Sequence, residues 1–404
     1  MSNKPSIAII GGGPAAMMLA CSLDNSRYAI SLYEKNSALG RKFLVAGKGG
    51  FNLTHSEEHV QFADRYTPKS FIEPFLKQFS NNDLRDWLNS IGIETFTGTS
   101  KRVFPVKGIK PIEVLKAIEN AILQNQVSVF YNYEWNGWEN NELVFKHNDQ
   151  LLKQKADITI FALGGASWKV TGSNGLWTGF FKEKNITLNP FYPSNCAYQI
   201  DWDTDFIKKH AGSALKNVEF SCGNIKRKGE AVLTEFGIEG SGVYHLSGTV
   251  RKGLLEQGTA QIFIDLKPGL DLKEITSRLE NKGKLSIKNV LEKKLNLSPV
   301  QIDLLKFYTS KDDYNDPERL AGAIKSIPLT VGGLPPIDDA ISTVGGIPID
   351  ELTEQLELKK LPQHYCIGEM IDWDAPTGGY LLQACFSTGY TLAKHLNATS
   401  PTGS

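Results

Sequence analysis

The sequence predicts an α/β fold in which a doubly wound parallel sheet is assembled from both ends of the chain and interrupted by an antiparallel β domain with a small helical insert. Three observations predict it. A strand, a glycine-rich turn, a helix, a second strand and an acid follow one another between Ile7 and Glu34. From about Asn189 the pattern changes to proline-broken, alternating segments, and between Tyr365 and Gln383 a strand, loop and helix repeat the opening order.

Ile7-Ala8-Ile9-Ile10 reads as a buried parallel strand. Gly11 permits the tight turn that follows, and Gly13 lets the backbone approach a pyrophosphate. Ala16 stands where the last glycine of the motif is usual, and its methyl still allows helix and strand to pack closely. Met17 to Cys21 continues the helix, whose N-terminal N–H groups and dipole would hold the anion. The second strand, Ile30 to Tyr33, ends at Glu34, placed to grip a ribose with free 2′ and 3′ hydroxyls and unsuited to a 2′-phosphate. This motif alone does not separate NAD from FAD.

The glycine-rich loop from Gly40 to Thr54, with cations at Arg41, Lys42 and Lys48, is suited to wrapping a ligand closely. Phe71 to Leu88 and Pro111 to Leu123 carry helical periodicity, and each is expected to form a helix. Val127 to Tyr131 and Asp157 to Ala162 extend the parallel sheet. Beyond Pro190 and Pro193, Val218 to Cys222 and Ala231 to Thr234 alternate as antiparallel strands do. Helical signals return between Leu270 and Tyr308, with Ile287, Val290, Leu291 and Leu295 on one face and Ser298-Pro299-Val300-Gln301 as a capping box. Strand residues resume at Ile327 to Gly333. The expected divisions are 1–188 and 346–397 for the dinucleotide-binding domain, 189–268 and 319–345 for the β domain, 269–318 for the helical insert, and a disordered tail over 398–404.

Length and composition exclude several classes. At 404 residues the chain exceeds one ordinary core. Its 44 basic and 44 acidic residues balance, so no global field draws it to nucleic acid or an anionic membrane. Lys282, Lys284, Lys288, Lys293 and Lys294 read as a solvated helix surface, and no nucleic-acid partner is expected. Cys21, Cys196, Cys222, Cys366 and Cys385 form no Cys-x-x-Cys pair, which opposes both a disulfide framework and a structural zinc site. No apolar run is long enough to span a bilayer, and the first strand starts too early to leave room for a targeting peptide. A soluble cytoplasmic protein is expected. Gly47-Lys48-Gly49-Gly50 lacks Walker spacing, so ATP binding is not expected. His55 and His59 flank Glu57 and Glu58 without the zincin order and read as exposed histidines; no metal is expected. Ser194 and Ser241 lack a nucleophile elbow, so hydrolysis has no support.

Gly40-Arg41-Lys42-Phe43, Asn52-Leu53-Thr54, Arg102-Val103-Phe104-Pro105, Thr171-Gly172-Ser173-Asn174-Gly175, Gly345-Gly346 and the run from Gly368-Glu369 through Tyr380 resemble the YhiN/BaiN-like flavoproteins, a family of NAD(P)/FAD-dependent, aminoacetone-oxidase-like oxidoreductases. The resemblance covers almost the entire chain. It implies a discontinuous, two-motif FAD-binding Rossmann-like domain interrupted by a β-barrel-like domain, itself interrupted by the helical insert. Carried over by position, Gly11, Gly13, Pro14, Ala15 and Ala16 would meet the pyrophosphate, and Glu34, followed by Lys35, the adenosine ribose. Arg41 and Lys42 would serve the adjoining phosphate and flavin side. Trp135 follows the strand that lends backbone to adenine, Ala162 and Gly164 let a strand end pass the dinucleotide, and Gly368 and Glu369 sit where the ribityl chain runs. Gly379, Tyr380 and Leu381 would open a helix aimed at the flavin N1/O2 edge, favouring the reduced anion.

Two departures weaken any transfer of substrate. Gly50-Phe51 stands where many relatives have an arginine-cysteine pair, and Glu235 follows Thr234 where a histidine is expected. The resemblance implies an FAD-dependent oxidoreductase in which NADH or NADPH delivers hydride to flavin N5 and an organic acceptor, such as a C=C bond conjugated to a carbonyl, receives it. No second dinucleotide motif follows a strand, so NAD(P)H would bind transiently in the substrate cleft. Tyr380, Glu235 and Glu239 are candidate proton donors; a packed aromatic ring and surface acids are the competing reading, and no catalytic residue is assigned. A flavin-binding redox sensor or scaffold and a flavin oxidase of small amines are the alternatives. Substrate and oligomeric state stay open.

Overall fold

Five short apolar strands form a parallel sheet in the order His364–Cys366, Ile158–Phe161, Ser6–Ile10, Ala29–Glu34, Ser128–Tyr131. Ile9 pairs with Ile160 on one side and Leu32 on the other, and all three are fully buried. Such near-continuous apolar strands need helices over both faces. In this computed structural model, which describes residues 4–45 and 50–399, the helices Pro14–Ser22 and Tyr380–Ala398 supply part of that cover. Their close approach depends on Gly389, where a Cβ would collide with the Ala15 carbonyl oxygen. The first and last helices of the chain are thereby packed backbone against backbone.

The chain divides into two compact units, one formed by the two ends and the other by Pro193–Ile341. The expected span of the inserted part was 189–345. Asn189–Ser194 and Ser342–Gly346 pair as a two-stranded sheet, which draws most of these flanking residues into the first unit. The second unit is a closed six-stranded barrel, in the order Tyr198–Ile200, Gly237–Glu239, Ile225–Leu233, Ala214–Cys222, Ala260–Asp265, Ile327–Gly333. Its core includes Phe220, Ile262, Ile264, Leu329 and Val331. Five helices between Leu272 and Lys325 separate its last two strands. In one of them, Ser298 N donates to Gln301 Oε1 at 2.9 Å, closing the capping box.

Two features differ from expectation. The segment 71–88 is not one helix but parts of two, Lys69–Gln78 and Asn81–Ser90. Ser80 N donates to Asp83 Oδ2 at 2.7 Å and Asp83 N to Ser80 Oγ at 3.3 Å, so a local cap ends the continuity that periodicity alone implied. The strands Glu134–Glu139, Glu142–His147 and Gln150–Gln154 form an antiparallel sheet that was not foreseen. No described helix is long and apolar enough to cross a membrane. Gly47-Lys48-Gly49 and most of the expected tail lie outside the described residues; the last helix runs to Ala398.

Candidate functional site

In the first unit a cleft opens at the carboxyl ends of four parallel strands, reached by Ile10, Glu34, Ala162 and Ile367. Ligands of open α/β sheets bind at this edge. The three glycines at its floor have different reasons to be glycine. Gly11, at φ +102°, would place a Cβ 2.5 Å from the Ala162 carbonyl oxygen, and a Cβ on Gly12 would stand 2.5 Å from Leu39 Cδ2. The fold requires the first, which meets backbone at a positive φ, whereas the second is crowded by the Leu39 and Glu34 side chains. Gly13 has φ −79°, and its Cβ would meet nothing within 4 Å, so its bareness answers to whatever enters the cleft. The helix that starts at Pro14 has no side-chain cap, leaving its first N–H groups free for an anion.

Glu34 is buried and held by the backbone it faces. Its Oε2 accepts from Gly12 N at 2.7 Å, and its Oε1 accepts from Asn36 N at 2.8 Å and Asn36 Nδ2 at 2.6 Å. A carboxylate offers about four acceptor positions, so an oriented one is left for a hydroxyl. Burial lowers the ammonium pKa of Lys35, opposed by Glu134 and Glu34. Arg41 Nη1 donates to Asn36 Oδ1 at 2.7 Å. Lys42 Nζ donates to Ser167 Oγ at 2.9 Å and to Glu369 Oε2 at 3.0 Å. Gly368, at φ +75°, lies against Ala15, where a Cβ would be 3.0 Å from the alanine methyl carbon. Trp135, Ala162 and Gly164 also line the cleft.

Thirteen of the sequence-predicted residues thus line one cleft: Gly11, Gly13, Pro14, Ala15, Glu34, Lys35, Arg41, Lys42, Trp135, Ala162, Gly164, Gly368 and Glu369. Four do not. Ala16 is fully buried in its helix. Gly379 packs on Thr54, with a Cβ position only 2.5 Å from Thr54 Cα, Leu381 is half-buried against the core, and Tyr380 is buried. The same last helix reaches the cleft further along, at Cys385, whose thiol pKa burial pushes up to about 12.

The Tyr380 hydroxyl donates to Glu57 Oε2 at 2.9 Å, and its ring stacks on His55 with centroids 5.1 Å apart. Arg65 grips both Glu57 oxygens, Nε to Oε2 at 2.9 Å and Nη2 to Oε1. Burial raises the Tyr380 pKa, and the Glu57 charge adds to it. Its proton is therefore engaged by a carboxylate. His55, expected to be exposed, is buried on the edge strand Thr54–His55 of a three-stranded sheet, because its ring fills the space over Tyr380. His59 instead starts the short helix His59–Ala63, so the two histidines share no helix face. Glu235 is exposed and Glu239 half-buried, both in the second unit. Asn36 and Ser173 are cleft residues that the site reading omitted; the Thr171 to Gly175 run was the only signal for Ser173.

The comparisons with known proteins agree with this geometry. The HI0933-like protein Rossmann domain matches residues 5–395. A 3-dehydro-bile acid delta(4,6)-reductase from Clostridium scindens is 24% identical, covering 96% of this chain and 98% of its own. A ribosomal RNA dihydrouridine synthase from Haemophilus influenzae is 23% identical, over 97% and 98%. Among solved structures, a 3-ketosteroid delta1-dehydrogenase from Sterolibacterium denitrificans shares the fold with a TM-score of 0.52 at 12% identity, over 98% of this chain and 100% of that one.

Proposed function

The chain belongs to the HI0933-like family of FAD-dependent oxidoreductases, and from that premise we propose that it reduces a C=C bond conjugated to a carbonyl, with NADH or NADPH as the electron source. The observation that carries the cofactor part is the open space over Gly13, beside an uncapped helix end and in the same cleft as Glu34 and Glu369. The donor set suits the dinucleotide. N–H groups and Lys42 match a pyrophosphate, and the fixed Glu34 carboxylate matches a ribose diol. Bound there, FAD would supply hydride transfer; the protein supplies orientation, electrostatics and exclusion of water.

The acceptor class follows from chemistry shared by two relatives of this chain. A Δ4,6-unsaturated 3-ketone and the pyrimidine bond lost in dihydrouridine are both polarised by a conjugated carbonyl, so both accept hydride at the remote carbon. Tyr380 is not assigned the accompanying proton, because its hydroxyl already donates to the Glu57 carboxylate. NAD(P)H is assigned a transient visit to the substrate cleft, since the sequence carries no second dinucleotide motif.

Anaerobic mixing with NADH and with NADPH tests this reading. Bleaching of the bound flavin by one of them, followed by return of colour on adding a Δ4,6-3-ketosteroid or a uracil nucleoside or RNA, is the expected result. Flavin that neither nicotinamide reduces, or that is reduced by small amines with peroxide release in air, contradicts it.

A further inference from the structure

A small antiparallel sheet in the first unit turns part of one aromatic face to solvent. Its strands run in the order Thr54–His55, Arg102–Pro105, Thr95–Thr97. Side chains alternate along a strand, so Val103, fully buried, points one way and Arg102 and Phe104 the other. His55 pairs with Arg102 and Phe96 with Phe104, which puts all four on one face. The start of the last helix covers the His55 end, where the Tyr380 ring stacks. A Cβ on Gly378 would lie 3.4 Å from Tyr380 Cε2 and 3.6 Å from Arg102 Nε. The other end is open: Phe96 is 44% exposed, and its ring stacks on that of Phe104 with centroids 5.7 Å apart and planes 29° from parallel.

The charge around these rings is one-sided. Between Glu94 and Lys110 there are four cations, Lys101, Arg102, Lys107 and Lys110, and no second acid, although the whole chain is neutral. None of the four forms an ion pair among the described residues. Lys101 and Lys107 are exposed and Arg102 is half-buried. A cross-strand aromatic pair also stabilises a hairpin, but that role calls for no unpaired cations beside it. Single-stranded nucleic acid calls for both, because its bases stack on exposed rings while its phosphates meet the charges. The chain that lines the cleft at Lys42 and Phe43 reaches the same face at Gly50, whose Cβ position is 3.6 Å from Phe104 Cε1.

We propose that this face docks single-stranded RNA, with unpaired bases on Phe96 and Phe104 and phosphates on Lys101, Arg102 and Lys107. The choice of RNA rests on the acceptor class above, since uracil carries a C5=C6 bond conjugated to its C4 carbonyl. A duplex keeps its bases stacked on one another and offers the rings no free base faces. The attraction is local, so it needs no net charge on the chain.

The test measures binding of a labelled oligouridylate about ten nucleotides long to the full-length holoprotein over a range of salt, for wild type, Phe96→Leu, Phe104→Leu, Lys101→Gln and Arg102→Gln. Phe263→Leu, at an exposed phenylalanine of the second unit, is the control. Each ring variant should weaken binding about 5-fold or more, and each cation variant should lower the slope of log affinity against log salt by about 0.7. Phe263→Leu should bind as wild type. Phe96→Leu, at an exposed position, should keep the wild-type melting temperature and the wild-type rate of flavin reduction. Wild type that binds no oligouridylate, ring variants that bind it as well as wild type does, or tighter binding of duplex RNA or oligodeoxythymidylate overturns the proposal. Reduction of a Δ4,6-3-ketosteroid without RNA binding overturns it and leaves the proposed function standing. RNA binding that is lost in the ring variants, by a protein that reduces no conjugated C=C bond, supports this face and removes that function.

Discussion

Lys42 and Glu369, separated by 327 residues in the chain, meet at 3.0 Å between Nζ and Oε2 on the rim of the nucleotide cleft. Lys42 stands in the short helix Arg41–Val45, and Glu369 in the turn after the last parallel strand. Glu369 is also held from the backbone, accepting from Thr343 N at 3.3 Å. The pair joins both ends of the chain at the place where a dinucleotide would lie.

The two partners should separate in their effect on cofactor affinity. Lys42→Met removes a cation from the phosphate side and should weaken FAD about 10- to 100-fold, the scale of a charge-assisted bond. Glu369→Gln removes the competing carboxylate and should hold affinity within a few-fold. Flavin titration of both variants checks this, and equal losses would mean that the pair acts only as a clasp.

Gly11 and Gly13 should fail differently. Gly13→Glu places bulk and charge in open space, so the protein should fold normally and lose its yellow colour. Gly11→Ala drives a methyl toward the Ala162 carbonyl at a positive φ and should cost stability, about 1–3 kcal/mol of strain or more. Melting temperature and flavin content, read together, distinguish the two.

Tyr380→Phe deletes a hydrogen bond to a charged group and should destabilise the protein by about 1.5–3 kcal/mol. Reduction of bound flavin by NAD(P)H should persist. Unchanged stability with abolished acceptor reduction would instead make Tyr380 the proton donor.

Stability should fall as the solution is acidified through the histidine range. Burial depresses the His55 pKa below its usual 6.5, with Glu57 opposing. Below that pH the unfolded chain takes up a proton that the folded protein resists, so stability present above 6.5 is progressively lost. The Glu57 carboxyl is also held below its ordinary 4.5: burial pushes it up, and bonds from Arg65 and Tyr380 outweigh that. Its contribution is present above 4.5 and disappears at lower pH as the folded carboxylate protonates. His55→Gln should flatten the melting-temperature profile between about pH 7 and 5 and leave the more acidic loss intact.

The legible parts of the site were those decided within a few residues. Gly11 to Ala16 and Glu34 follow from the geometry of one strand-turn-helix-strand unit, and Gly368-Glu369 from its echo near the other end. The break at Phe79-Ser80 was missed because the apolar periodicity runs across it, although Ser80 and Asp83 carry the cap signal. The Glu134 to Gln154 sheet was missed where Asn140-Asn141 and Asn148-Asp149, all at positive φ, mark its two tight turns. The setting of Tyr380 was not legible because its surroundings come from His55, Glu57, Phe62 and Tyr66, segments more than three hundred residues away in sequence. No local pattern encodes that Ser173 Oγ is buried without a hydrogen-bond partner among the described residues, which depends on every neighbour in the fold.

The most direct measurement is the flavin stoichiometry of gently purified full-length protein, and of the flavin-free protein after adding FAD. The account predicts close to one FAD per chain, lost in Gly13→Glu while that variant keeps the wild-type fold. Folded wild-type protein that is colourless and takes up no added FAD would contradict it.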